Sequence, residues 1–343
     1  MNLLKYSLRR ILIMIPVLFG TLTLTFILSR MMPGDPVLAL LNARGLREIP
    51  MDVYRETIRQ LGLDDPIMVQ YFRFLRELFT GDWGVSVSIL RNEPVWNLIM
   101  QRLPITIDIT LFSIFIGSFL GIKLGIKAAV HRRETPDTIV RGLSIFGMSI
   151  PIFFLGMMLQ YFFGILIPIF DPVGYSNPMY DDPTRVTGFY IIDALIAGEW
   201  YKVGDYIWHL VLPVFCLSFI MFSSISRHTR SSMLEELNRD YVRTARAKGV
   251  EEKDVIKGHV LQNALIPTVT VTGMNLASAL AGSFFIEVTF GIVGIGQLFI
   301  EAILLTDYWV LSALVFLITM IFILVNLLSD IIYAKLDPRI MYT

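Results

Sequence analysis

The stretch Ile11 to Ser29, ILIMIPVLFGTLTLTFILS, runs for 19 residues without a charge. About 20 such residues, rising about 1.5 Å each, cross the roughly 30 Å hydrocarbon core of a bilayer as one helix. Four further runs lack Asp, Glu, Lys and Arg: Leu143–Phe170, Leu210–Ser226, Ala264–Ile286 and Trp309–Ser329. Around them the composition agrees. The 343 residues are 55% hydrophobic and 17% charged, with a mean hydropathy of +0.63, whereas soluble domains carry about 25% charged residues. This excludes a soluble enzyme, a disordered chain and a nucleic-acid binder; the net charge of zero supplies no field for a polyanion. The chain reads as a polytopic membrane protein.

Six spans are expected, at about 10–30, 103–128, 142–168, 208–226, 264–289 and 308–332. The apolar part of the first is longer than the roughly 7–15 residues of a signal-peptide core and lacks a small-residue cleavage site, so it is read as uncleaved. The second carries Asp108, Lys123 and Lys127, the lysines near its end where their stems reach the interface. It also carries Gly117, Gly121 and Gly125, a stripe suited to close helix packing or to a role in a pathway. The one cysteine, Cys216, permits no intrachain disulfide.

Basic residues orient the spans. Segments 1–10, 131–141, 227–262 and 333–343 hold three, three, eight and two Lys or Arg; the opposite short segments 169–207 and 290–307 hold two and none. The expected fold is therefore all-α, with both termini inside. A first transmembrane helix (1–30) leads to an external helical domain (31–102), a five-helix core (103–332) with an inside loop at 227–262, and an inside tail (333–343). In the external domain Asp65-Pro66 marks a helix start, running through Tyr71, Phe72, Leu75 and Leu78 to Gly81.

The inside loop is the most informative stretch. Asp240-Tyr241-Val242-Arg243-Thr244-Ala245-Arg246-Ala247-Lys248-Gly249 reads as a two-turn helix, with Asp240 as N-cap and Gly249 as a left-handed terminator. Such a helix suits docking in a cleft; a solvated basic loop that only sets topology is the plainer alternative. Within the spans, Asp108, Glu287, Asp307 and Asp330 lie mostly near ends and are read as interfacial. Asn275, Ser278 and Ser283 of the fifth span either line a wet path or bind neighbouring helices. No Gly-x-x-x-x-Gly-Lys-Ser/Thr loop occurs, the four histidines lack ligand spacing, and no nucleophile triad is present. The chain is thus expected to have no catalytic residue, metal or cofactor of its own.

Asp240–Gly249, followed by Asn263-Ala264-Leu265-Ile266-Pro267, resembles the coupling loop of ABC importer permeases. The resemblance is to the dipeptide, oligopeptide and nickel branch, the permease B family. It extends to Ile15-Pro16-Val17-Leu18-Phe19-Gly20, Met32-Pro33-Gly34-Asp35-Pro36, Leu61-Gly62-Leu63-Asp64-Asp65-Pro66, Gly81-Asp82-Trp83-Gly84, Arg102-Leu103-Pro104, Ser149-Ile150-Pro151 and Leu336-Asp337-Pro338-Arg339. Two departures stand out: Arg243-Thr244-Ala245 replaces the general Glu-Ala-Ala, and Val293 replaces a proline in the turn after the fifth span.

The resemblance implies the type I importer permease fold and a pore-forming subunit in the plasma membrane. It further implies a second, related permease as heterodimer partner, an external solute-binding protein, and two cytoplasmic ATPases that bind the ATP and Mg. Peptides are the default solute, with oligosaccharides or nickel chelates as alternatives, and Tyr241 to Gly249 would carry the ATPase coupling. The rival is an ion-gradient-driven secondary transporter, which calls for inverted repeats and titratable groups at the membrane midplane.

Overall fold

The computed structural model describes residues 3–31, 37–38, 41 and 49–336. The Met32–Pro36 motif, Asp337–Arg339 and most of the tail 333–343 lie outside the described residues. Among the described residues, twelve α-helices of seven or more residues organise the chain. They are α1 (Leu3–Met31), α2 (Met51–Gln60), α3 (Ile67–Thr80), α4 (Val95–Val130), α5 (Thr135–Ser149), α6 (Ile152–Gln160), α7 (Tyr190–Ile196), α8 (Trp200–Leu237), α9 (Asp240–Ala247), α10 (Leu261–Phe290), α11 (Ile295–Leu304) and α12 (Tyr308–Leu336). Among the described residues there is no strand, only an isolated bridge between Val85 and Pro94.

Four helices are long and apolar enough to cross a membrane singly: Ser7–Met31 within α1, then α4, α8 and Tyr308–Ile332 within α12. The count becomes six if each of two bent pairs is one span. Here the expectation of a continuous span at 142–168 needs correction. α5 and the stretch Ile152–Leu166 meet at 104°. Pro151 is the cause: its ring pushes Ile150 into extended backbone (φ −85°, ψ 128°) and ends α5. The second pair, Glu252–Leu276 and Ser278–Phe290, bends by 45°.

The chain forms two compact units. One holds Pro104–Val293 with the chain ends, the other Arg9–Leu103 with Gly294–Leu324. α8 is the axis of the first. Its 38 residues extend for about 57 Å, well beyond a bilayer core. The glycine stripe of α4 lies directly against it. A Cβ at Gly117 would sit 2.7 Å from Ser218 O, one at Gly121 2.9 Å from Ile225 Cβ, and one at Gly125 2.8 Å from Ser226 O. Of the two readings of that stripe, close packing is what the geometry uses. Ile109, Tyr206, Cys216, Ile225, Ile286 and Ile292 form the fully buried centre of this unit.

In the second unit α3 lies along α1, with Phe26 against Tyr71 and Phe74 at 5.3 and 5.4 Å between ring centres. Asp65 does not cap α3, which starts after Pro66 without a side-chain cap. Its carboxylate instead pairs with Arg73, nearly two turns into the helix. Tyr71 and Leu78 face inward as the pattern implies, whereas Phe72 is exposed. Gly81 ends α3 in the left-handed conformation, φ 80°.

Candidate coupling surface

α9 is held to the first unit by two side chains. Val242 and Ala245, three residues apart, are buried against Met233, Val255, Val260 and Ala264. The opposite face is open. Asp240, Arg243, Thr244 and Ala247 form an exposed i, i+3, i+4, i+7 stripe, with Lys248 and Gly249 beyond it. Within the stretch Tyr241–Gly249 expected to carry the coupling, Ala245 is therefore not available for contact, whereas Thr244 and Ala247 are. The i, i+3 pair of apolar residues is the signal that fixes the phase. The N-cap is Arg239, with Asp240 in the first turn. Gly249 adopts φ 78° and an added Cβ there would meet open space, so its glycine serves the backbone rather than packing.

Three polar contacts brace the helix. The Tyr241 hydroxyl donates to Glu236 Oε2 at 2.5 Å and accepts from Asn263 Nδ2 at 3.2 Å, tying the start of α9 to the end of α8 and the start of α10. Arg246 makes a two-pronged contact with Glu252, at 2.6 and 2.9 Å. The Arg246 hydrogen bonds hold the Glu252 carboxyl below its ordinary range and raise the guanidinium in turn. Burial, then Glu236, pushes the Tyr241 phenol up. Sequence reasoning named Tyr241, Arg246 and Asn263 but missed Glu236 and Glu252 as their partners, which lie just outside the quoted motif.

The three polar residues of the fifth span do not share one surface. Asn275 faces α8, its Nδ2 3.4 Å from Ser224 Oγ. Ser283 is fully buried and bonds Leu280 O of its own helix. Ser278 alone is exposed, with its hydroxyl turned back on Met274 O. Asp108 takes a hydrogen bond from Tyr206 at 2.8 Å, and Tyr206 stacks on Tyr190 at 4.6 Å. Among the described residues no group of three His, Cys, Asp or Glu side chains is placed to hold a metal ion.

Residues 117–342 match the family model described as "Binding-protein-dependent transport system inner membrane component". Residues 3–110 match the one for the N-terminal part of such membrane components. The chain is 37% identical over 343 residues to the dipeptide transport system permease protein DppB of Escherichia coli K12, covering 99% of each. It is 36% identical over 340 residues to the protein of the same name from Alkalihalophilus pseudofirmus, covering 99% of this chain and 100% of that one. With the oligopeptide transport system permease protein AppB of Bacillus subtilis it shares 34% over 337 residues, covering 98% and 99%. Among solved structures, a chain of the MetNI methionine ABC transporter in inward-facing conformations superposes with a TM-score of 0.53 at 18% identity. That match covers 71% of this chain and 99% of the other, and shows a shared permease fold.

Proposed function

The chain belongs to the family of binding-protein-dependent transport system inner membrane components, and from that premise we propose that it is the pore-forming permease subunit of a peptide importer. The observation that carries the peptide reading is end-to-end identity of 34–37% to permeases named for dipeptide and oligopeptide transport. Both termini and segment 227–262 face the cytoplasm, as the basic residues require, and much of 31–102 faces outward. ATP is bound and hydrolysed by separate ATPase subunits, and solute arrives from an external binding protein. A second, related permease completes the pore, with Asn275 and Ser278 as path candidates.

The exposed stripe Asp240, Arg243, Thr244 and Ala247 is the surface that meets an ATPase subunit. Ala247→Glu tests this without touching the buried face. The variant permease should insert and accumulate as wild type, yet lose co-purification of the ATPase subunits or uncouple their hydrolysis from uptake by about tenfold or more. Normal uptake at normal expression would make α9 a solvated spacer. Ala245→Glu is a poor substitute, since it places a charge in a buried site and threatens the fold itself.

A further inference from the structure

The second unit contains a polar cleft of about 130 Å³ that none of these roles uses. It is lined chiefly by Arg30, Gln60, Gln70, Arg73, Glu77 and Tyr308. Arg73 is already neutralised by Asp65. Arg30 has no ion pair among the described residues: its guanidinium lies over the rings of Phe26 and Tyr308, at 5.3 and 5.1 Å, and its Nε is buried without a hydrogen-bond partner there. Glu77 likewise has no ion pair among the described residues. Burial lifts its carboxyl above the ordinary range, against the opposing pull of Arg73, Arg76 and Arg30 and with the push of Asp82. Among the described residues, the cleft thus presents a cation and a carboxylate neither of which makes a direct ion pair.

Its position narrows the ligand. Arg30 is in the last turn of α1, and Tyr308 and Trp309 are the first residues of α12; both helices are long and apolar enough to cross a bilayer. Arg, Tyr and Trp at the ends of spans sit at the level of lipid headgroups. On the helical wheel Arg30 lies between the buried Phe26 row and the outer face of α1. That outer face is apolar and open: Leu24, Ile27, Leu28 and Met31 are each about half exposed or more. At about 30 Å³ per water, the cleft has room for some four waters, which suits a compact zwitterionic group and not a peptide with side chains.

We propose that this cleft binds the headgroup of an aminophospholipid, with the phosphate on Arg30, the primary ammonium at Glu77 and the acyl chains along Leu24, Ile27, Leu28 and Met31. The proposal rests on α1 and α12 crossing the bilayer and is independent of the solute transported. A phosphoglycerol headgroup leaves Glu77 without a cation, and a phosphocholine offers it no N–H.

The test is native mass spectrometry of the whole purified importer, stripped of lipid and re-exposed to one lipid at a time. Unmodified protein should retain phosphatidylethanolamine about tenfold more tightly than phosphatidylglycerol or phosphatidylcholine. Arg30→Gln should abolish that preference, and Glu77→Gln should shift it toward phosphatidylglycerol. Because the headgroup ranking is read on the unmodified chain, it stands even if a variant fails to assemble. Equal retention of the three lipids would overturn the proposal. So would displacement of the lipid by inorganic phosphate, the mark of a free-anion site, or by a dipeptide, the mark of a solute subsite.

Discussion

Asp307 is a carboxylate with no exposed surface, and four donors converge on it from one distant turn. Ser86 Oγ lies at 2.5 Å from Oδ2, the amides of Val87 and Ser88 at 3.0 Å, and that of Ile89 at 3.3 Å. The contact pins residues 86–89 to the entry of α12. Asp307→Ala would strand buried donors, with an expected loss of about 3 kcal/mol or more. A drop in the thermal midpoint of the purified chain, with new protease cleavage near 81–94, is the expected readout; an unchanged midpoint would contradict it. Asp193 does similar work in the segment before α8. Burial would raise its carboxyl, but the Thr187 amide and hydroxyl and the Gly188 amide, at 2.7 to 2.9 Å, hold it below the ordinary range. Its folded pKa is depressed, so its contribution is complete above the ordinary Asp value of about 3.9 and disappears as pH falls through the lower folded value. Asp193→Asn should therefore lower stability at neutral pH and flatten the acid side of the stability profile, measured by thermal unfolding against pH. A profile parallel to wild type would assign the acid sensitivity elsewhere.

Helices show best what the sequence makes legible and what it hides. Uncharged runs exposed α1, α8 and α12 directly, because a backbone in hydrocarbon must satisfy its own hydrogen bonds and a helix does so locally. The break at Ile150-Pro151 was visible as a proline but not as a 104° turn, since a proline in a membrane helix is tolerated wherever its neighbours re-satisfy the freed backbone groups. Pro16, Pro104, Pro213 and Pro267 all remain inside their helices. The phase of α9 is readable from the apolar pair Val242 and Ala245, whose burial leaves Thr244 and Ala247 on the open face. The Asp307 clasp was not readable at all: its partners lie about 220 residues away, and no local pattern reports so distant a pairing. The glycine stripe left two meanings open, and packing distances chose one. Gly121→Leu should thus overpack the α4–α8 contact, costing about 1–3 kcal/mol and lowering the recovery of folded protein in detergent. Wild-type recovery and melting would mean that α4 can move away freely.

For the molecule as a whole, what the chain contains and what its partners supply divide cleanly. It supplies helices that cross the membrane and an inside helix whose buried pair fixes it while its polar stripe faces out. Its sequence offers no phosphate-cradling loop. The chain belongs to a family of binding-protein-dependent transport membrane components, and α9 is the surface proposed for coupling to separate ATPase subunits. An ion-gradient transporter would differ in kind, since its energy enters through titratable groups in the membrane. The most direct measurement is uptake of a labelled dipeptide into proteoliposomes holding this permease with the proposed second permease, and with the ATPases and binding protein. The account predicts uptake that requires ATP inside and binding protein outside, persists when ionophores collapse every ion gradient, and falls about tenfold or more with Ala247→Glu. Uptake that proceeds without ATP and stops with the ionophore would contradict it.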